Sequence, residues 1–243
     1  MLAEARVGTS GFAYREWVGQ VYPPEATSEQ LLPLYAQRLS SVEVSLLPPE
    51  RVESWAAAVP PGFQFAVKAP TRVASELTSG RGAARAWHAF LEVASNLGEA
   101  LGPVLIQVPA SRSADRHALA SFLAALPQGL RVAFEFKHRS WHNDATLRML
   151  SAREAALVLT DDVAGPPRIE LTAAFTYVRL RSDEDRPEAI DAWAGRLGLL
   201  ARRGVEVYCF LRHDRSGLAV DRAMRLSALL RAESQFGEQA MLS

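Results

Sequence analysis

Residues 131–141 have the sequence Arg-Val-Ala-Phe-Glu-Phe-Lys-His-Arg-Ser-Trp, and this stretch decides the fold. Val132, Phe134 and Phe136 occupy every second position, which is the period-two pattern of a β-strand. Glu135 belongs to the alternate set, and a carboxylate on the inner side of such a strand is costly to bury unless a partner or a function requires it. The strand ends in a dense set of polar and aromatic side chains. In a barrel of parallel strands, active sites lie at this C-terminal end.

The rest of the chain repeats an alternation of strands and helices. We predict strands at residues 6–10, 41–45, 63–68, 104–108, 131–136, 155–161, 175–181 and 205–212. We predict helices at residues 28–39 (with Ser28 as the N-cap), 49–58, 82–97, 114–126, 144–153, 187–203 and 218–231, and an irregular connection without a helix at 163–174. This alternation predicts an α/β fold, a single (β/α)8 TIM barrel with a closed parallel sheet.

The two faces of the predicted strands differ in polarity. The face expected to contact the helices is apolar, as at Val42, Phe65 and Ile106. The opposite face is small or polar and carries Glu43, Lys68, Gln107, Glu135 and Arg179. An open doubly wound sheet has no interior lumen in which so many charged groups could collect near strand ends. The pattern therefore favours a closed barrel.

Length and composition agree with one large soluble domain spanning residues 1–243. Apolar residues make up 49% of the 243 positions and charged residues 22%. Lys plus Arg equals Asp plus Glu at 27 each, so the weak overall field argues against nucleic-acid binding by bulk charge. The single cysteine, Cys209, excludes an internal disulfide. With a first strand close to the N-terminus and no membrane-length apolar run, we expect a cytoplasmic protein that does not associate with membranes.

Several motifs occur in a fixed order along almost the whole chain. They are Gly8-Thr9-Ser10-Gly11-Phe12 with Tyr14 and Trp17, Val42-Glu43, residues 63–70, residues 101–107, residues 135–141, and Tyr177 with Arg179. Together they resemble the blocks of domain-of-unknown-function family 72, also called YecE-like. The resemblance implies a TIM-barrel fold. It implies no reaction, because the family has no established one.

The chain departs from that family's pattern at four places. Val44-Ser45-Leu46-Leu47 stands where the family has an Asn and then a Thr-Phe-Tyr group, Ala74-Ser75 replaces a Thr-His pair, Arg181-Ser182 replaces a His-Gly pair, and Leu211-Arg212-His213-Asp214 replaces an Asn-rich strand end. The resemblance thus implies a divergent member, with altered or reduced chemistry if those polar residues belong to the family's site. The charged set on the inner face persists.

We predict that the catalytic residues are Glu43, Lys68, Glu135, Arg179 and His138. A carboxylate beside Lys68 or Arg179 stays ionised in a water-poor barrel mouth, whereas a desolvated carboxylate near another one holds its proton. The two glutamates can therefore divide the general-base and general-acid roles, while the cations neutralise an anionic substrate or an oxyanion. The alternative is a salt-bridged polar plug that fills the barrel and needs no substrate.

A second set of side chains is predicted to bind substrate around these groups. Its members are Phe12, Tyr14, Trp17, Gln107, Trp141, Tyr177 and Asp161. The aromatic members can wall a pocket, although aromatic residues near a first strand also serve as loop packing.

No metal and no cofactor is predicted. His138 and His142 are four residues apart, with Asp144 beyond, but they follow a strand directly in loop sequence. No His or Cys cluster completes a ligand set.

Two hypotheses for function remain open from the sequence. One is an enzyme of the hydrolase or lyase type that acts on a small anionic or sugar-like substrate by metal-independent acid–base chemistry. The other is a non-catalytic regulatory barrel that holds a small ligand, a protein or a nucleic-acid segment, with Arg179, Arg181, Arg212 and Arg215 as a basic rim for phosphates. The sequence does not predict the oligomeric state. We expect Glu135 to matter more to function than to folding, unless it forms a structural ion pair with Lys68 or Arg179.

Overall fold

The computed structural model describes residues 3–45, 47–77, 83–161, 169–181 and 187–241, and its strands form one eight-stranded parallel sheet. The strands are β1 (Ala5–Thr9), β2 (Ser41–Val44), β3 (Gln64–Lys68), β4 (Leu101–Val108), β5 (Val132–Phe136), β6 (Ala156–Thr160), β7 (Phe175–Leu180) and β8 (Glu206–Leu211). Hydrogen-bonded ladders connect them in the order β1-β8-β7-β6-β5-β4-β3-β2. The predicted (β/α)8 barrel is confirmed.

Helices cover the outside of this sheet. Those in the described residues are α1 (Leu31–Ala36), α2 (Val52–Ala57), α3 (Thr71–Leu77), α4 (Ala83–Ala94), α5 (Arg116–Ala124), α6 (Asp144–Ser151), α7 (Pro187–Arg202) and α8 (Leu218–Met241). Short 3₁₀ turns lie at Arg15–Trp17, Pro49–Arg51, Ser95–Ala100 and Arg139–Trp141. None of the helices within these ranges is both long and apolar enough to cross a membrane.

The seam between β1 and β2 closes the sheet into a barrel. These strands share a single parallel bridge, Ser10 to Glu43, and the Gly11 amide donates to the Glu43 carbonyl oxygen at 2.7 Å. At Gly8 a Cβ atom would stand 1.9 Å from the Ser41 carbonyl oxygen. A residue without a side chain therefore allows the two backbones to approach this closely.

The facing of the strands follows the predicted alternation. Val132, Phe134 and Phe136 pack outward with the main apolar core under the helices. The inward apolar side chains form a second cluster inside the barrel: Ala66, Leu105, Ala133, Ala156, Val158, Phe175, Tyr177, Tyr208 and Phe210. This inner layer fills the barrel below the ends of the strands, as in other barrels of this type. The charged side chains lie above it.

Some of the predicted helix limits were wrong. Helix α3 was missed because its seven residues make only about two turns, too few for a helical period to stand out in the sequence. Helix α1 begins at Leu31, and no side chain caps it, so Ser28 is not its N-cap. Helix α8 continues to Met241 through a segment rich in Ala, Glu and Gln, which favour helix without an apolar stripe.

The irregular connection predicted between β6 and β7 lies partly outside the described residues, which omit 162–168. The described part, 169–174, contains no helix. Leu46 and Ser182, two of the departures from the family pattern, also lie outside the described residues.

Candidate active site at the barrel mouth

The C-terminal ends of the strands bring four predicted residues together. Glu43 lies on β2, Lys68 ends β3, Glu135 lies on β5 and Arg179 lies on β7. Each occupies an inward position of its strand, because the side-chain period of two places it on the face opposite the helix-packed residues. All four sit near one end of the barrel.

Arg179 joins the two glutamates. Its Nη1 donates to Oε2 of Glu135 at 2.6 Å, and its Nη2 donates to Oε1 of Glu43 at 2.7 Å. The residues are 7% (Arg179), 5% (Glu135) and 2% (Glu43) exposed. Burial disfavours the charged guanidinium, but the two carboxylates outweigh this and raise the pKa of Arg179 further. Arg179 is therefore a permanent cation held between two acids.

Glu43 accepts hydrogen bonds at both of its oxygens. Tyr177 donates its hydroxyl to Oε2 at 2.8 Å, and Ser10 donates its hydroxyl to Oε1 at 3.1 Å. Burial and the negative charge of Glu43 raise the pKa of Tyr177 well above its usual value, so its phenol keeps its proton. Donors on both oxygens suit a carboxylate rather than a protonated acid.

Glu135 has the larger set of positive neighbours. Besides Arg179 it accepts from the Gln107 amide at 3.0 Å, lies 3.1 Å from Lys137 Nζ, and lies 3.5 Å from Arg181 Nη2. Burial alone would raise the pKa of this carboxyl, but Arg179, Arg181 and Lys137 together lower it below the usual value. Glu135 is thus ionised at neutral pH, and a proton donor at this site must be another group.

Lys68 differs from the other cations at the mouth. It is half-buried and makes no hydrogen bond or ion pair with any residue that the structure describes. Burial and the neighbouring charges of Arg179 and Arg181 lower the pKa of its ammonium, although Glu43 and Glu135 oppose this shift. Lys68 is therefore the group at the mouth best suited to exchange a proton.

His138 is held in one tautomer at the end of β5. The Ala114 amide donates to the Ser140 hydroxyl at 2.7 Å, and that hydroxyl lies 2.7 Å from His138 Nδ1. The Ser140 amide also points at Nδ1, at 3.2 Å. Nδ1 is therefore an acceptor, and a neutral His138 carries its proton on Nε2.

The second histidine of the predicted pair has a separate role. His142 Nε2 lies 3.0 Å from the Phe136 carbonyl oxygen. His138 and His142 thus bond to different groups. Within the described ranges, no three or more His, Cys, Asp or Glu side chains are arranged to hold a metal ion.

The predicted substrate-binding aromatics are mostly packed. Trp17 and Trp141 are fully buried and donate their indole N–H groups to backbone carbonyl oxygens, and Phe12 packs edge-on against Trp55. Tyr14 is only half-buried and stacks on His213, with ring centroids 4.2 Å apart. Among these four aromatics, Tyr14 is the one whose ring retains substantial exposure.

Polar residues of the predicted substrate-binding set also reach the mouth. Gln107 and Tyr177 contact the glutamates directly, whereas Asp161 accepts from the Arg181 amide at 2.6 Å. Asp214, beside His213, accepts from the amides of Leu218 and Ala219 and so caps helix α8. The α8 N-terminus is therefore already occupied by a carboxylate, which disfavours a phosphate there.

A cavity of about 570 Å³ lies at the other end of the barrel. It is lined by the segments that precede β5, β6 and β7, including Arg131, Arg153 and Phe175. Residues at this N-terminal face of a barrel serve stability, whereas the charged groups described above lie at the catalytic face. We therefore take the mouth, by its chemistry, as the candidate site.

Two contributors were missing from the predicted site, Ser10 and Lys137, and a third, Arg181, was predicted only as part of the basic rim. Ser10 lies at the seam, and the sequence does not indicate the register at which β1 meets β2 there. The rarity of lysine in the sequence is the signal that could have identified Lys137 as a site residue. Of the 27 basic side chains in the chain only two are lysines, Lys68 and Lys137, and both are at the mouth.

Comparison with known proteins agrees with this architecture. A family model described as "Protein of unknown function DUF72" matches residues 6–241. The chain is similar to the crystal structure of a DUF72 family protein from Thermotoga maritima MSB8, with a TM-score of 0.83, 24% identity, and coverage of 94% of this chain and 99% of that chain.

Two crystal structures of a DUF72 family protein from Enterococcus faecalis V583 are also similar. Their TM-scores are 0.73 and 0.72, each at 19% identity, covering 93% and 94% of this chain and 95% and 98% of those chains. At these identities the likeness shows the fold alone. None of the curated proteins compared with the chain matches it.

Proposed function

The chain belongs to the DUF72 family, and from that premise we propose that it is an acid–base enzyme acting on a small anionic or sugar-like substrate at the C-terminal mouth of its barrel. Family membership accounts for the barrel and assigns no reaction. The proposal therefore depends on the chemistry of the mouth.

One observation carries it: among the residues that the structure describes, cations outnumber carboxylates at the mouth. Lys68, Lys137, Arg179 and Arg181 surround Glu43 and Glu135. With Lys68 protonated, counting Asp161, whose carboxylate accepts from the Arg181 amide, still leaves one positive charge in excess among these described residues. A structural plug would be expected to neutralise itself, because an uncompensated charge held in a partly buried site lowers stability. An anionic substrate would supply the missing charge.

The side chains divide into positioning and reacting groups. Arg179, Tyr177 and Gln107 fix the orientation of the two carboxylates. Lys68 exchanges a proton with the substrate, since it has no hydrogen-bond or ion-pair partner among the described residues and burial lowers the pKa of its ammonium. Arg181 binds the substrate's negative group, and the half-buried Tyr14 contributes an apolar wall. The proton transfer in this scheme uses a side chain of the protein, Lys68.

Thermal shift tests the binding part of the proposal. We expect some members of a panel of small carboxylates, organic phosphates and sugar acids to raise the melting temperature of the wild-type protein. A ligand at 100 times its Kd adds about 2.7 kcal/mol, or roughly 5–10 °C for a domain of this size. Turnover assays then follow on the compounds that stabilise.

A matched pair of variants makes that test specific. Lys68→Met should lose most of the shift, whereas Arg225→Met, which breaks an exposed ion pair with Asp191 between helices α8 and α7, should retain it. If no compound stabilises the protein, or if both variants respond as the wild type does, the proposal is wrong.

The competing hypothesis is a regulatory barrel that binds nucleic acid or another partner through its basic rim. Two arginines of that rim, Arg212 and Arg215, are exposed, which favours the regulatory hypothesis. Arg179 is buried between two glutamates and is not free to reach phosphates, which weakens it. Binding of a labelled single strand that weakens steeply with added salt would support this alternative.

We also propose that the protein works in a reducing compartment, the cytoplasm. Its one cysteine, Cys209, is fully buried in β8, and burial raises the pKa of the thiol, so it has no accessible thiolate for a disulfide partner. Cell fractionation checks this, and recovery of the protein from the secreted fraction would contradict it.

A further inference from the structure

Both lysines of the chain lie at the barrel mouth, although 25 of its 27 basic side chains are arginines. From this juxtaposition we propose that Lys68 is a nucleophilic amine that forms an imine with a small anion carrying a carbonyl group, such as a 2-oxo acid or an anionic aldehyde. The inference rests on the proposed function and narrows it, since it names the substrate class and the first bond made.

The use of lysine rather than arginine is the first step of the argument. A guanidinium stays protonated at any pH the protein meets, whereas an ammonium can lose its proton and expose a lone pair. Nearly all basic side chains of this chain are arginines, including Arg179 and Arg181 in the same site. A lysine at position 68 therefore suits a task that requires the neutral amine.

The surroundings of the two lysines differ, and only those of Lys68 favour the neutral amine. Lys137 Nζ lies 3.1 Å from Glu135, and its side chain is 37% exposed, so the ammonium form is stabilised. Lys68 is half-buried and lacks such a partner among the described residues, and burial with the charges of Arg179 and Arg181 outweighs the opposing charges of Glu43 and Glu135. Desolvation and a neighbouring cation are the two conditions that make a lysine amine nucleophilic near neutral pH. Lys137 is therefore an internal control for the reactivity of the Lys68 amine.

The charge of the mouth selects an anionic carbonyl compound. Arg181 lies 3.5 Å from Glu135 at its Nη2, and its Nε is buried without a hydrogen-bond partner among the described residues. The Nε of Arg179 is likewise unpaired. Unpaired donors on buried cations cost stability, which is expected where a site holds its positive charge ready for a ligand.

The reaction balances without a further reagent. The Lys68 lone pair forms a carbon–nitrogen bond at the carbonyl carbon, and the carbonyl π pair moves to oxygen. The nitrogen gives up both of its protons, and both end on that oxygen. The carbon–oxygen bond then breaks, water leaves, and a carbon–nitrogen double bond remains. Nothing is oxidised or reduced, and the neighbouring cations favour the transient oxyanion.

Reductive trapping with glyoxylate tests the inference. The wild-type protein is treated with glyoxylate and sodium cyanoborohydride at neutral pH, and the carboxymethylated lysines are located by peptide mass spectrometry. Lys68 should be modified about tenfold faster than Lys137 or more, which corresponds to about 1.4 kcal/mol of barrier. Glycolate, an anion of similar size without a carbonyl, should protect Lys68. Acetaldehyde, which has no charge, should show a smaller preference for Lys68.

Two variants separate the possible results. Lys68→Arg keeps the charge and removes the nucleophile, so glycolate should still stabilise this variant while trapping at the mouth disappears. Arg225→Met, which breaks the exposed ion pair with Asp191, should leave trapping at Lys68 unchanged. If Lys68→Arg fails to fold, the comparison of the two lysines within the wild-type molecule still decides the matter.

Equal modification of Lys68 and Lys137, or preference for Lys137, would overturn the imine proposal while leaving the anion site intact. Absence of any stabilisation or protection by glycolate and the other anions would instead count against the proposed function itself.

Discussion

Arg179 donates to Glu135 at 2.6 Å through Nη1, and the opposite nitrogen of the same guanidinium donates to Glu43 at 2.7 Å. One cation therefore serves two buried acids that approach it from different strands. Mutations at any of the three positions should be strongly non-additive, because each removes a partner of a shared group.

Glu135→Gln is expected to destabilise the protein as well as to impair ligand binding. The substitution keeps the shape of the side chain but leaves Arg179, Arg181 and Lys137 with less compensating charge. Breaking a buried pair costs about 3–5 kcal/mol. For a domain of this size, a loss of about 3 kcal/mol lowers the melting temperature by roughly 6–12 °C.

Glu206→Gln is the matched control. It removes the carboxylate of the Arg131–Glu206 pair at the other end of the barrel, where both side chains are about one-third exposed. An exposed pair contributes about 0–1 kcal/mol, so the melting temperature should move little. A loss at Glu135→Gln as large as expected, with ligand binding unchanged at matched folded concentration, would leave Glu135 as barrel structure without a functional role.

Arg179→Met should give a variant whose instability depends on pH. The pKa of Glu135 lies below its usual 4.5 in the folded wild type, so this group contributes stability that is present above the unfolded value and is lost as pH falls through the folded value. Without Arg179, Glu43 and Glu135 repel each other, and their mutual repulsion raises the carboxyl pKa. The variant then regains stability as pH falls.

Urea unfolding at two pH values measures this effect. At about pH 7 we expect Arg179→Met to lose about 3–5 kcal/mol, the cost of breaking a buried ion pair. The difference in free energy of unfolding between wild type and variant should shrink at about pH 4, because the wild type begins to lose the stability contributed by ionised Glu135 while repulsion between the carboxylates of the variant weakens. A difference that stayed constant would show that Arg179 does not interact with ionised glutamates.

The alternation along single strands was predictable, and the network between strands was not. Val132 and Phe136 face the helices and Glu135 faces inward because a period of two is a local property of the strand. The partners of Arg179 are 44 and 136 residues away along the chain. Their distances depend on how far each strand extends and where the barrel closes, which periodicity does not encode.

Metal content provides a separate test. The sequence predicts no intrinsic metal, because it lacks a complete ligand set, and His138 and His142 bond to Ser140 and the Phe136 carbonyl oxygen respectively. Elemental analysis of protein purified without a histidine tag should therefore show zinc, iron and manganese well below one equivalent per chain. One tightly held equivalent of any of them would contradict the prediction.

Gly8→Ala should disrupt the seam that places Glu43 in the site. A Cβ atom at Gly8 would lie 1.9 Å from the Ser41 carbonyl oxygen, and both atoms of this clash belong to or adjoin the backbone, so no flexible side chain can move aside. Overpacking of this kind costs about 1–3 kcal/mol or more. Since β1 and β2 meet at the Ser10–Glu43 bridge, pushing them apart should also weaken binding of any ligand that needs the Glu43–Arg179 pair.

Gly195→Ala is the control for that change, because it adds the same methyl group on the exposed side of helix α7, where a Cβ atom meets nothing within 4 Å. Alanine favours a helix interior over glycine by about 1 kcal/mol, so this variant should be slightly more stable than the wild type. Thermal denaturation and ligand titration of both variants decide the point. Equal stability of Gly8→Ala and Gly195→Ala would mean that β1 and β2 are not in close contact, and the geometry that orients Glu43 towards Arg179 would then lose its support.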